Sequence, residues 1–139
     1  LKAGLISPED AAKLWDRVGP MLQRVVDQTE GELLPDDFLY NIINNYMHLW
    51  LAVEDTEITM AMVTQIIEYP RRKTLRIIAI SGENFKETHS QFNDMIESFA
   101  IQAGCSGLEL WGRKGWKKML PDWESNYIVF TKNLTERMQ

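Results

Sequence analysis

A chain of 139 residues, 45% hydrophobic and 25% charged with a formal net charge of -5, has the size and balance of one folded domain. No window holds the roughly 18 consecutive apolar residues of a membrane helix, and the apolar content is too high for intrinsic disorder. Residues 1–60 carry four basic and eleven acidic side chains and residues 61–139 eleven and nine, so the halves stand at -7 and +2. An acidic first half argues against general binding of nucleic acid, which needs a basic face for phosphate. The single cysteine, Cys105, excludes an internal disulfide and a zinc site of clustered thiolates, so no metal is expected and a reducing, cytoplasmic location fits. Asn133-Leu134-Thr135 matches a glycosylation acceptor, but without a secretory signal it reads as chance. Because the chain opens on Leu1 and not Met, residues upstream of it are expected.

Ser7-Pro8-Glu9-Asp10 starts a helix: a hydroxyl cap, a proline where its missing N–H is harmless, and carboxylates at the positive end of the dipole. Leu14, Trp15, Val18, Leu22, Val25 and Val26 recur at three- and four-residue spacing and carry the helix to about Asp27, with Gly19-Pro20 expected to kink or split it. Pro35-Asp36-Asp37 starts a second helix, whose apolar face of Phe38, Leu39, Ile42, Ile43, Tyr46 and Met47 predicts an end near His48. The period then changes from 3.6 to 2, which marks the passage from helix to sheet. Residues 49–54 form a strand, Asp55-Thr56 a tight connection, and residues 58–68 a second strand antiparallel to the first. After a turn at residues 70–73, residues 75–81 are apolar almost throughout and read as a strand buried on both faces that stops at Gly82. A helix over residues 84–103 carries Phe85, Phe92, Met95, Ile96, Phe99 and Ala103 on one face, and Gly104 ends it. Residues 107–111 follow as a strand, parallel to residues 75–81 through the helical crossover. A short cationic helix or turn over 113–120, ended by Pro121, leads to a last strand at residues 126–132.

This order resembles the fold of the GNAT family of N-acetyltransferases over nearly the whole chain. The run Leu108-Glu109-Leu110-Trp111-Gly112-Arg113-Lys114-Gly115-Trp116-Lys117-Lys118-Met119-Leu120, with Trp123-Glu124 and residues 127–132, resembles the end of small GNAT-like proteins of tailed bacteriophages. The resemblance implies a single α/β domain over residues 1–139, a GNAT-like mixed central sheet of five or six strands with helices on both faces. The family's usual first strand finds no room before Ser7.

The resemblance also implies acetyl-CoA, held by backbone N–H groups between the central strand and the long helix. The matching segment here is Ile80, Ser81, Gly82, Glu83, Asn84 and Phe85. It departs from the family's loop, because no Arg or Gln leads it and Glu83 and Glu87 set negative charge where phosphate would sit, offset by Lys86. An ordinary strand-to-helix turn capped by Asn84 is the competing reading. Transfer of an acyl group to a small-molecule or protein amine also needs a base and an acid. Glu68, beside Glu54, is the candidate base through water, and Tyr127 the candidate acid, since the helix over 113–120 has Trp116 and no tyrosine. His48 and His89 have no carboxylate or hydroxyl partner at a convincing spacing.

The cluster Trp111, Arg113, Lys114, Trp116, Lys117 and Lys118 sets four cations between indoles and is a candidate surface for an acidic protein partner, its competing reading being two core anchors with solvated lysines. Two functions therefore stand side by side. One is an acetyl-CoA-dependent N-acyltransferase; the other is a catalytically inactive GNAT-fold phage protein, acting as a virion component or a host-interaction module in the host cytoplasm or the particle.

Overall fold

A computed structural model of the chain describes residues 2–29, 31–82, 85–112, 116 and 120–135. The elements in chain order are β1 (Lys2–Ile6), α1 (Pro8–Val26), α2 (Pro35–Ile43), β2 (His48–Glu54), β3 (Glu57–Glu68), β4 (Lys73–Gly82), α3 (Phe85–Gln102) and β5 (Gly107–Leu110). The strands lie in sequence order in one sheet, antiparallel from β1 to β4 and parallel between β4 and β5. The α3 crossover makes that last parallel pairing possible, because a tight turn can join only antiparallel neighbours.

Local signals account for most element ends. Ser7 Oγ accepts from Asp10 N at 3.2 Å and Pro8 occupies the first turn of α1, which runs through Pro20 as one helix. Asp37 Oδ2 reaches back to Leu34 N at 2.8 Å and closes the start of α2. α2 stops at Ile43, earlier than its apolar spacing predicts, because Asn45 turns left-handed (φ 62°) and the Tyr46 and Met47 amides both bond the Asn41 carbonyl. Asp55 (φ 57°) serves the same purpose in the two-residue turn between β2 and β3.

Two expectations are corrected. A strand does precede Ser7: β1 pairs with the edge of β2 from Lys2 opposite Val53 to Ile6 opposite Leu49. Its sequence shows no alternation because it is an edge strand shaped by its neighbour. Conversely, residues 126–132 are rich in β-branched and aromatic residues but pair with none of the five, and Tyr127 and Phe130 stand 93% and 90% exposed. Such propensity makes a strand only where a ladder receives it.

Two apolar layers sandwich the sheet. On one face α1 and α2 bury Val18, Leu22, Phe38 and Ile42 against Leu49, Leu51, Ala61 and Val63. On the other, α3 buries Phe92, Ile96 and Ala100 against Trp50, Met62, Leu75 and Ile77, and Trp123 returns from the C-terminal segment to pack there too. Each face is thus closed by helices, as an α/β sheet with two apolar surfaces demands.

Gly82 ends β4 at φ 144°, and a Cβ there would lie 2.7 Å from Met60 Cα and inside contact distance of the Thr59 carbonyl. Glycine is therefore required by the close approach of β3. Gly82→Ala is expected to lower stability by about 2–5 kcal/mol in urea unfolding, since backbone strain and a collision with backbone act together.

Candidate functional site

β4 contains one residue too many for regular pairing with β3. Thr64 lies opposite Ile77 and Val63 opposite Ala79, so Ile78 is the bulged residue. Its effect on side-chain direction is direct: Ile77 packs in the layer under α3, Ile78 and Ala79 both pack in the layer under α1 and α2, and Ile80 returns to the α3 layer. At this same level the parallel ladder ends, its last pair being Ile77 with Leu110. β4 then continues through residues 78–82 along β3 alone, while β5 stops. Alternate residues of this stretch turn their N–H and C=O away from β3, toward the side that β5 has left. α3 begins just beyond, at Phe85.

Below the parting the two strands are tied by polar side chains. Glu109, opposite Arg76, accepts from the Thr74 hydroxyl, from Tyr69 Oη at 3.1 Å and from Arg76 Nη2 at 3.3 Å. Burial pushes the Glu109 carboxyl up, but these hydrogen bonds and the Arg76 charge outweigh it and hold the group below the usual carboxylate range. The Arg76 guanidinium also lies 4.1 Å from the centroid of the Trp111 ring. Trp116 packs over Gly112, where a Cβ would fall 2.8 Å from its ring.

Of the residues expected to hold a cofactor, Ile80, Ser81 and Gly82 lie on the half of β4 that pairs with β3 alone, with Ser81 buried opposite Ala61 and Ile80 half-buried. Phe85 opens α3, and Glu83 and Asn84 lie outside the described residues. Glu68 pairs with Lys73 at the opposite end of β4, eight ladder steps from the pair of Met60 with Gly82, or about 27 Å along the strand. The structure therefore does not bring Glu68 to the 80–85 segment. It forms instead a long ion pair with Lys73 (3.9 Å), beside a depression of about 440 Å³ under the β3–β4 turn. Tyr127 lies in the exposed C-terminal segment. Trp111 is 65% exposed and Trp116 half-buried, while Arg113, Lys114, Lys117 and Lys118 lie outside the described residues.

His48 has a hydroxyl partner after all: its Nδ1 is 3.0 Å from Thr64 Oγ1, which also accepts from Trp50 Nε1 at 2.9 Å. Phe99 meets both rings edge-on. Burial pushes the His48 ring down from its ordinary value, against a smaller opposing effect from the Thr64 backbone, so it is neutral and structural. Sixteen residues separate His48 from Thr64, and local spacing carries no sign of the pairing. The same holds for Arg76 and Glu109, which meet through the parallel register. Among the described residues no group of three or more His, Cys, Asp or Glu is placed to hold a metal, and no helix is long and apolar enough to cross a membrane.

A mixed sheet with helices on both faces and a fourth strand outrunning the fifth defines a GNAT-like α/β fold. No family model matches the sequence, and no curated protein matches it. Solved structures do. A predicted acetyltransferase from Clostridium acetobutylicum, solved with acetyl-CoA, superposes with TM-score 0.72 at 16% identity, over 97% of each chain. An aminoglycoside acetyltransferase from an uncultured soil metagenomic sample, solved with sisomicin, gives 0.68 at 12% identity over 96% of each. A possible acetyltransferase from Clostridium difficile 630 gives 0.62 at 13%, over 95% of this chain and 96% of its own. At such identities the likeness is one of fold.

The tie below the parting is testable by pH. A carboxyl held low in the folded state contributes stability that is present above its unfolded value, about 4.3, and lost as pH falls through its folded value. Glu109→Gln should remove that part of the acid-side slope and lower stability by about 1–3 kcal/mol at neutral pH, in urea unfolding followed from pH 7 to pH 2. An unchanged slope would show that Glu109 does not carry the acid sensitivity.

Proposed function

We propose that the protein is an acyl-CoA-dependent N-acyltransferase that binds its thioester along residues 78–82 and the start of α3. The observation that carries this reading is the parting of β4 from β5 at Ile77 and Leu110, which leaves five residues of β4 unpaired by β5. Acetyl-CoA fits the chemistry of that edge, because its thioester and amide oxygens accept from outward backbone N–H groups and its amide N–H groups donate to outward carbonyls. The solved neighbour that carries acetyl-CoA supports the assignment, and the neighbour solved with sisomicin supports an amine as acceptor.

In this reading Ile80, Ser81, Gly82, Glu83, Asn84 and Phe85 hold the cofactor. Acetyl-CoA supplies an acyl carbon activated as a thioester. Tyr127 is the acid: its phenol carries an O–H that can be donated to the leaving thiolate. Glu68 has no part at this edge for the reason of distance given above.

A second reading keeps the fold without the chemistry. Trp111 and the run Tyr127, Ile128, Val129 and Phe130 are exposed apolar surface, which favours a docking role for a protein partner, with Trp116, Arg113, Lys114, Lys117 and Lys118 adjoining in sequence. This is the role of the inactive phage proteins that the final third resembles, although none of the neighbours named above is a phage protein.

Calorimetric titration with acetyl-CoA, together with the Tm in its presence, separates the two. Binding must stabilise the native state if the ligand is selective for it, and at 100 times Kd the gain is about 2.7 kcal/mol. Neither heat nor a Tm shift at millimolar acetyl-CoA would leave the second reading. Once an amine acceptor is found by release of free thiol, Tyr127→Phe should lower kcat by about 100-fold with the acetyl-CoA Kd unchanged. A kcat equal to that of the unmodified chain would remove Tyr127 from the chemistry.

A further inference from the structure

The first sixty residues are strongly acidic, yet two of their four cations come together at the end of β4. Arg17 and Arg24 are seven residues apart on α1, two turns along one face. Both line a surface depression of about 300 Å³ whose wall includes Thr59 and Gly82. Gly82 is the last residue of the half of β4 that β5 leaves, so the depression adjoins the end of the edge assigned above to the thioester.

The two guanidiniums differ in how they are held. Arg17 Nη2 donates to the Thr56 carbonyl at 2.5 Å, which pins its head group against the β2–β3 turn and leaves its remaining N–H groups for another acceptor. Arg24 makes no hydrogen bond or ion pair among the described residues, whose ion pairs are Lys73 with Glu68 and Arg76 with Glu109. Glu57 is the acid on the rim and is bonded to neither arginine, so the lining carries a net charge of +1. Two planar forks on a partly enclosed wall suit a phosphate, which takes parallel N–H bonds from guanidinium.

We propose that Arg17 and Arg24 form a phosphate clamp for the acyl carrier, supplying from α1 the positive charge that the 80–85 segment, with Glu83, does not. The site would take the phosphate-bearing end of a coenzyme A thioester while the backbone of residues 78–82 takes the thioester arm. This rests on the acyltransferase reading, and the test keeps the two apart.

Three probes are titrated calorimetrically against the full chain: acetyl-CoA, acetyl-pantetheine, which has the thioester but no phosphate, and inorganic pyrophosphate. The variants are Arg24→Ala, Arg24→Lys and Arg17→Lys, with folding checked by circular dichroism; Arg24 is exposed and has no partner among the described residues, so its loss leaves the core untouched. Arg24→Ala should weaken acetyl-CoA and pyrophosphate about tenfold or more and flatten the salt dependence, with acetyl-pantetheine unchanged. Arg24→Lys should recover part of the loss, and Arg17→Lys should weaken the same two probes. Acetyl-CoA bound equally by the wild type, Arg24→Ala and Arg17→Lys would overturn the clamp and leave the acyltransferase reading intact. Pyrophosphate binding that depends on Arg24, with neither thioester bound by the wild type, would uphold a phosphate site and overturn its link to an acyl carrier. No binding of any probe would overturn both.

Discussion

One extra residue, Ile78, divides the sheet into a sealed lower part and an open upper part. A bulge bends its strand and increases the local twist, and β5, only four residues long, does not follow β4 around it. Below the bulge Leu75 and Ile77 lie under α3 and the ladder to β5 is intact. Above it Ile78 and Ala79 turn together toward α1, and the outward backbone of β4 faces away from β3 with no strand beside it among the described residues. The bulge is tolerated because both faces of β4 are covered by helices, so a change of phase moves an apolar side chain from one apolar layer to the other.

Positive charge on this molecule falls into two kinds. Arg76 is structural: its guanidinium meets a carboxylate held by three hydrogen bonds and lies against the Trp111 ring, so its charge is matched within the fold. Arg24 has no such match among the described residues, and Arg17 spends one N–H on a backbone carbonyl. A formal charge of -5 conceals this difference, because what a cation offers a ligand depends on what already faces it. The depression at the other end of the sheet is larger, but it is lined by Glu68 with its partner Lys73 and lies far from the parting of the strands.

Much of the fold was legible locally. Ser7, Pro8 and the apolar stripe of α1 act within a few residues of one another, and so do Asp37 on Leu34 and Asp55 in its turn. For the two strands that differ from the sequence pattern, the cause is a partner distant in sequence, present or missing. β1 has a featureless sequence and exists because β2 offers an edge; residues 126–132 have the residue types of a strand and pair with none of the five. The end of α2 was overshot because Tyr46 and Met47 continue the helical spacing, while Asn45 takes the left-handed turn that breaks it. Gly82 ends β4 where the sequence places the strand stop, and its immediate cause is the backbone of Thr59 and Met60.

The sequence by itself determined the helices and the four strands from β2 to β5, that the meander of β2, β3 and β4 is antiparallel and β5 parallel, and that two apolar faces need covering. Periodicity, caps and connection lengths act over short spans of chain and suffice for that. It could not disclose the bulge, because Leu75-Arg76-Ile77-Ile78-Ala79-Ile80 is apolar at nearly every position and a phase slip leaves no trace in a strand buried on both sides. Nor could it disclose that Arg17 and Arg24 stand beside Gly82. That meeting was decided by the packing of α1 across the sheet toward the end of β4, a consequence of burying Val18 and Leu22 that no local pattern records.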